Sequence, residues 1–222
     1  EIRPGTDRIK QIIQFLNKRP NESGIVYCLS RKTTESIAEK LQQAGKDVLL
    51  TREPGGTTLG EGIRELLLKK DAEAMFEETE LLLMFAARAQ HVQQVILPGI
   101  NAGKTVICDR FTDSSYAYQG GGRGLDFQRI RTLEVLVQGG LQPDLTVLLD
   151  VPVSVAAQRV TQRGAQLDRF ERERETFFEA VREAYLARAA EEARFAVIDA
   201  SPGLEAVQKS IEQCLTERLT AW

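Results

Sequence analysis

Histidine occurs once, tryptophan once and cysteine three times in 222 residues. His91 has no metal-ligand companions in the pattern around it, so it reads as a surface or packing residue. Cys28, Cys108 and Cys214 are odd in number, widely spaced and free of any CxxC pair, which argues against a disulfide framework and against a zinc site. A reducing, cytoplasmic setting is therefore expected. No apolar run approaches the roughly 18 residues needed to span a bilayer, and the opening EIRPGTDRIK has no apolar signal-peptide core. Neither sign of charge dominates: 29 basic against 32 acidic side chains leave a net charge of −3, which speaks against bulk nucleic acid or an anionic membrane as the main partner. Any basic site must be a local concentration. Repeats, low-complexity tracts and linkers rich in Pro, Gly or Ser are also absent, and the 42% hydrophobic content suffices for one full core, so residues 1–222 are expected to form a single domain.

What is present alternates regularly. Nearly continuous apolar runs occur at 24–29 (GIVYCL), 47–51 (DVLLT), 105–109 (TVICD), 145–150 (LTVLLD) and 195–199 (FAVID). Continuous rather than alternating hydrophobicity is the mark of parallel strands covered on both faces. Segments of helical period lie between them, at about 7–19, 34–44, 78–95, 127–137, 153–162, 171–192 and 204–219. Strands alternating with helices predict an α/β fold with a doubly wound parallel sheet and right-handed crossovers.

Some residues sit where chemistry is usually found. Arg52 closes an apolar run and opens TREPGGT (51–57), and ligands of parallel sheets bind at the carboxyl ends of strands. Taken alone, Pro54-Gly55-Gly56 would be an ordinary turn. Asp109 and Arg110 close another run, ahead of SSYAYQGGGRG (114–124). A carboxylate there can hold magnesium directly or through water, and a guanidinium beside it can clamp phosphate. Phe85 and Arg88, three apart in LLLMFAARAQH, share a helix face suited to a base and its phosphate. Without other signals, that pair is better explained as a core ring and an exposed charge. The stretch DRFERERE (168–175) is either a solvated helix start or, following Arg163 and Gly164, a basic flap.

From about residue 46 to the end, TREPGGT, LLLMFAARAQ, DRFTDSSYAYQGGGRG, LQPDLTVLLD and RGAQLDRFE resemble, in order and spacing, the bacterial thymidylate kinases. That resemblance implies a P-loop-NTPase-like, three-layer α/β/α fold with a five-stranded parallel sheet, transfer of the γ-phosphoryl of ATP to dTMP with Mg2+, and a homodimer. By the same resemblance Arg52, Arg88 and Arg110 are the dTMP-phosphate and substrate-positioning arginines, and Ser115 and Gln119 read thymine. Asp109 stands near magnesium and the phosphates, Arg163 is a catalytic arginine in a lid near 163–170, and Arg159 lies near adenine. The family's thymine-stacking phenylalanine falls at Met84 here, so either Phe85 takes its place or the stacking is weaker. Arg52, Arg88, Arg110, Arg159 and Arg163 are expected to converge on one cleft.

One family element is missing. Phosphoryl transfer of this type needs a GxxxxGK[S/T] loop between the first strand and the first helix. Here SRKTTESIAEKL (30–41) follows GIVYCL, with no glycine between Gly24 and Gly45, and non-glycine backbone does not readily wrap its N–H groups around phosphate. GINAGKT (99–105) is one residue short of the motif and leads into a strand rather than out of one. Residues 3–45 instead resemble the strand and helices that open the second motor lobe of RecQ-type helicases, with NESGIVYCLSRKTTE as the signature. None of the helicase's ATP-binding first lobe is present, so helicase activity is not expected. The combination reads as a chimera, in keeping with a first residue, Glu1, that is not methionine. The leading expectation is a thymidylate-kinase-like scaffold whose dTMP site is largely retained and whose activity is impaired. Two rivals are an active kinase using Arg31, Lys32 and Thr33 at a helix start as a substitute phosphate site, and a non-catalytic nucleic-acid-binding or structural module.

Overall fold

The apolar runs become five parallel strands: β1 (Ile25–Cys28), β2 (Val48–Arg52), β3 (Thr105–Asp109), β4 (Leu145–Asp150) and β5 (Phe195–Asp199). The computed structural model describes residues 25–28, 38, 42, 45–69, 73–162 and 167–220. The helix expected at 7–19, most of that at 34–44, residues 30–34 and Arg163 lie outside them. Among the described residues the strands form one sheet of order β2-β3-β1-β4-β5. Val106 and Cys108 of β3 pack on one face with Val92, Ile96 and Phe111. Ile107 points to the other, with Val147, Ile198, Val207 and Ile211. Both faces of β3 and β4 are covered, which is why these strands read as unbroken hydrophobic runs, while β2 and β5 at the sheet edges leave Leu50 and Val197 exposed.

Adjacent strands β1 and β3 send their connections in opposite directions across the sheet, which opens a crevice at their carboxyl ends. The register aligns Arg52 with Asp109 and Asp109 with Cys28 in one row at that edge.

The helices are α1 (Thr58–Leu68), α2 (Glu77–His91), α3 (Leu97–Asn101), α4 (Thr112–Ser115), α5 (Phe127–Gln138), α6 (Val153–Gln162), α7 (Glu175–Glu191) and α8 (Leu204–Thr220). The single helix expected over 78–95 differs in detail: after His91 it widens into a π-helical stretch, Val92–Ile96, before α3. A second π-helical stretch, Tyr116–Gly122, follows α4. Such wide turns concentrate near functional sites. Here the second one brings backbone hard against α7, since a Cβ on Gly122 would lie 2.4 Å from the Phe177 ring. Helix α7 starts later than residue 171. Asp168 and Glu171 exchange backbone-to-carboxylate hydrogen bonds of 3.1 and 2.8 Å, closing a local turn that competes with the helix. No helix among the described residues is long and apolar enough to cross a membrane.

Candidate active site

The TREPGGT segment is tied down at every step. Glu53 extends the strand pairing by donating its N–H to the Asp109 carbonyl at 2.9 Å. Gly56 turns the chain at φ 77°, where a Cβ would lie 2.6 Å from the His91 ring, so only glycine fits. Thr57 then caps α1 by accepting from Gly60 N at 2.9 Å. Glu61, in the first turn, accepts from Arg52 Nη2 at 2.8 Å and from Gly56 N at 3.0 Å. Burial raises the Glu61 carboxyl, but these hydrogen bonds outweigh it and leave it below its ordinary value.

Beneath this turn lies a buried chain of polar groups. Arg88, 3% exposed, donates Nε to Glu53 Oε2 at 2.7 Å and Nη1 to Ser115 Oγ at 3.1 Å. The other Glu53 oxygen meets His91 Nδ1 at 2.9 Å, and His91 Nε2 meets Thr51 Oγ1 at 2.6 Å. Arg88 also stands over the Phe85 ring, 4.5 Å from its centroid. The guanidinium is held from three directions and has little freedom to lose when it binds a partner.

Arg88 faces a cavity of about 200 Å³, shared with Arg64, Arg110, Ser115, Tyr118 and Gln119. Arg64 donates to the Pro54 carbonyl at 2.9 Å; burial lowers its guanidinium from the ordinary value, and the charge of Arg52 pushes the same way. Arg110 adopts φ 67°, sparsely populated for a residue with a Cβ, and its guanidinium reaches the Tyr118 hydroxyl at 3.2 Å. Three guanidiniums on one small cavity make an anion site; Glu53, Asp168 and Glu171 also border it, Glu53 engaged by Arg88 and His91 and the other two by each other's backbone N–H, and the amide and hydroxyls of the lining suit a flat polar group beside the anion.

A sequence profile of the thymidylate kinase family matches residues 32–211. The thymidylate kinase of Chromohalobacter salexigens is 61% identical over 188 residues, 84% of this chain and 89% of that protein. That of Pseudomonas putida is 58% identical over 180 residues, 81% and 85% respectively. This chain belongs to the thymidylate kinase family. In three dimensions it is similar to thymidylate kinase from Ehrlichia chaffeensis, with a TM-score of 0.71 and 30% identity, covering 88% of this chain and 99% of the other. The P-loop-NTPase-like α/β/α fold follows.

Within this thymidylate kinase scaffold, the expected site residues separate into groups. Arg88, Arg110, Ser115 and Gln119 all line the cavity. Phe85 does not: it is 2% exposed, packed with Leu81, Tyr116 and Ile130 beneath Arg88. Sharing a helix face with Arg88 makes Phe85 its platform, while Met84, four residues before Arg88, borders the cavity together with Phe170. Arg52 is half-exposed and engaged with Glu61, outside the cavity lining. Arg159 is also outside it, donating to the carbonyls of Ala200, Ser201 and Pro202 at 2.7, 2.7 and 3.2 Å. The convergence of arginines thus holds for Arg88 and Arg110. Asp109 closes β3 at the crevice, and Arg163 lies outside the described residues.

Three contributors are not legible as site residues in the sequence. Glu53 lies inside TREPGGT, yet a glutamate in a turn ordinarily faces water. Arg64 sits on α1, whose signal is present as Ile63 and Leu67 behind the Thr57 cap. His91, expected to be surface or packing, is completely buried and hydrogen-bonded at both nitrogens. No local pattern reports that pairing, because its partners lie 38 and 40 residues away.

Proposed function

We propose that the chain binds dTMP in this cavity and is built to phosphorylate it from ATP, with the ATP half of the reaction impaired. The observation that carries this reading is the buried Arg88, locked by Glu53 and Ser115 and facing the same cavity as Arg64 and Arg110. A phosphate dianion meets those three guanidiniums, and the base extends toward Ser115 and Gln119. Because Arg88 is already oriented, the dTMP phosphate is held in one pose, and positioning supplies much of the rate in phosphoryl transfer. Arg52, at the rim, adds positive charge near the entrance.

The residues present fit magnesium. Mg2+ takes one or two carboxylates, keeps several waters and shares substrate phosphates, and Asp109 supplies one carboxylate in the row with Arg52 and Cys28. Among the described residues there is no cluster of three His, Cys, Asp or Glu that would make a closed metal cage, and this ion needs none. When bound it would neutralise phosphate oxygens. Arg163, in a lid near 163–170, is the proposed catalytic arginine, and Arg159 the residue of the adenine end.

The weak part is the phosphate cradle. Residues 30–41 follow β1, the central strand, yet supply no glycine for a nest of backbone N–H donors. Loss of a single such donor costs roughly 10²-fold or more. The family match begins at residue 32, so the junction expected at about residue 45 moves forward; we infer that the residues ahead of it are of helicase-like ancestry grafted onto a kinase body within one domain. Helices α2 and α5 pack together and expose Leu82, Val135 and Leu136, which favours a homodimer through this face.

Separate calorimetric titrations of dTMP and ATP test the reading, with a coupled assay for ADP production. The expected outcome is dTMP binding, little ATP binding and turnover at least a hundredfold below that of an intact relative. ATP binding without dTMP binding would overturn the site; turnover within tenfold of the relative would overturn the impairment.

A further inference from the structure

Gln119 faces the cavity, but the group that sets its orientation does not. Glu80, on α2 and 1% exposed, accepts from Gln119 Nε2 at 2.8 Å through Oε1. Its second oxygen takes Arg169 Nη2 at 2.5 Å and Arg123 Nη2 at 3.2 Å. Arg169 is itself anchored by donating Nε to the Leu67 carbonyl at 2.8 Å. The carboxylate is thus fixed between two guanidiniums, and an ionised carboxylate only accepts.

A primary amide has a donor end and an acceptor end, and an acceptor-only partner decides between them. Facing Glu80, the Gln119 side chain must present its nitrogen. That leaves Oε1 and the second N–H for a ligand, an acceptor next to a donor. The pyrimidine edge that matches has a ring N3–H beside a C4 carbonyl, as in thymine and uracil. Cytosine carries the reverse, an unprotonated N3 beside an amino group. To accept it, the amide would have to turn over and set its oxygen against the buried carboxylate, with both acceptors left unpaired.

We propose that Glu80 is a positioning residue for base specificity: by holding the Gln119 amide in one orientation, it makes the cavity take 4-oxo-pyrimidine nucleotides and reject 4-amino ones. This rests on the cavity being the nucleotide site. An unpaired buried acceptor corresponds to a preference of roughly tenfold to a hundredfold.

Calorimetric titration of the full chain with dTMP and with dCMP gives the test, as a ratio of dissociation constants. The wild-type chain should favour dTMP by at least tenfold. In Glu80→Gln the neighbouring amide can donate or accept, so Gln119 turns freely and the ratio should fall at least tenfold. In Gln119→Leu the preference should already be lost, and adding Glu80→Gln should change it no further. An unchanged ratio in Glu80→Gln, or an equal change with and without Gln119, overturns the inference, the latter by showing a general disturbance of the cavity. If Glu80→Gln does not fold, Glu80→Asp, which keeps the charge but withdraws the acceptor, takes its place, and an unchanged ratio there counts against the proposal equally. A wild-type chain that binds neither nucleotide overturns the nucleotide site itself and this inference with it. One that binds dTMP and dCMP alike overturns the inference alone.

Discussion

Replacing Glu53 by glutamine removes one charge and almost no volume. Glu53 is 4% exposed and lies between Arg88, 3% exposed, at 2.7 Å and His91, fully buried, at 2.9 Å. Breaking a buried ion pair from one side costs about 3–5 kcal/mol, because the remaining charge is left uncompensated. Glutamine can still accept from Arg88 through its oxygen, which recovers part of a hydrogen bond to a charged group, worth about 1.5–3 kcal/mol. The expected net loss is therefore about 2 kcal/mol. At roughly 2–4 °C per kcal/mol for a domain of this size, the melting temperature should fall by about 4–8 °C. Urea unfolding followed by circular dichroism measures it, with Glu65→Gln, an exposed residue of α1, as the control expected to stay within about 0.5 kcal/mol. The same variant should bind dTMP more weakly, since Arg88 loses the contact that fixes its Nε. A Glu53→Gln chain as stable as the control would show that Glu53 does not hold Arg88, and the account of the cavity as a preorganised anion site would fail with it.

Gly56→Ala places a Cβ at φ 77° and 2.6 Å from the His91 ring, so it should cost about 2 kcal/mol or more and weaken dTMP binding by displacing His91; thermal melting and calorimetry read the two effects. A stability equal to wild type would mean that the TREPGGT turn does not pack on His91. Cys108 should resist alkylation in the folded chain: burial raises its thiol well above the ordinary range, and the charges of Glu53 and Asp109 act in the same direction. Peptide mass mapping after iodoacetamide at pH 8 checks this, and labelling of Cys108 at the rate seen in urea would contradict it.

Much of the architecture was legible along the chain because parallel strands buried on both faces have an unmistakable composition. The runs at 105–109, 145–150 and 195–199 coincide with β3, β4 and β5. Helix α1 is harder to read because Gly60 and Gly62 fall in its first turns and weaken the helical signal that Ile63 and Leu67 give behind the Thr57 cap. The pair Phe85 and Arg88 was correctly placed on one helix face, but periodicity does not say which end of that face meets a ligand. The ring faces the core and the charge sits above it, so the cavity is bordered by Met84 and Phe170 instead.

By itself the sequence determined the family, the alternation of strands and helices, and four of the residues that meet in the cavity, Arg88, Arg110, Ser115 and Gln119. It also determined that no glycine lies between Gly24 and Gly45. Tertiary structure decided which charges are presented and which are used up internally. Arg88 is aimed by Glu53, Arg52 is spent on Glu61, Arg159 holds a loop, and Glu80 orients Gln119 from 39 residues away. Orientation depends on partners distant in the chain but adjacent in space, and no local spacing encodes it.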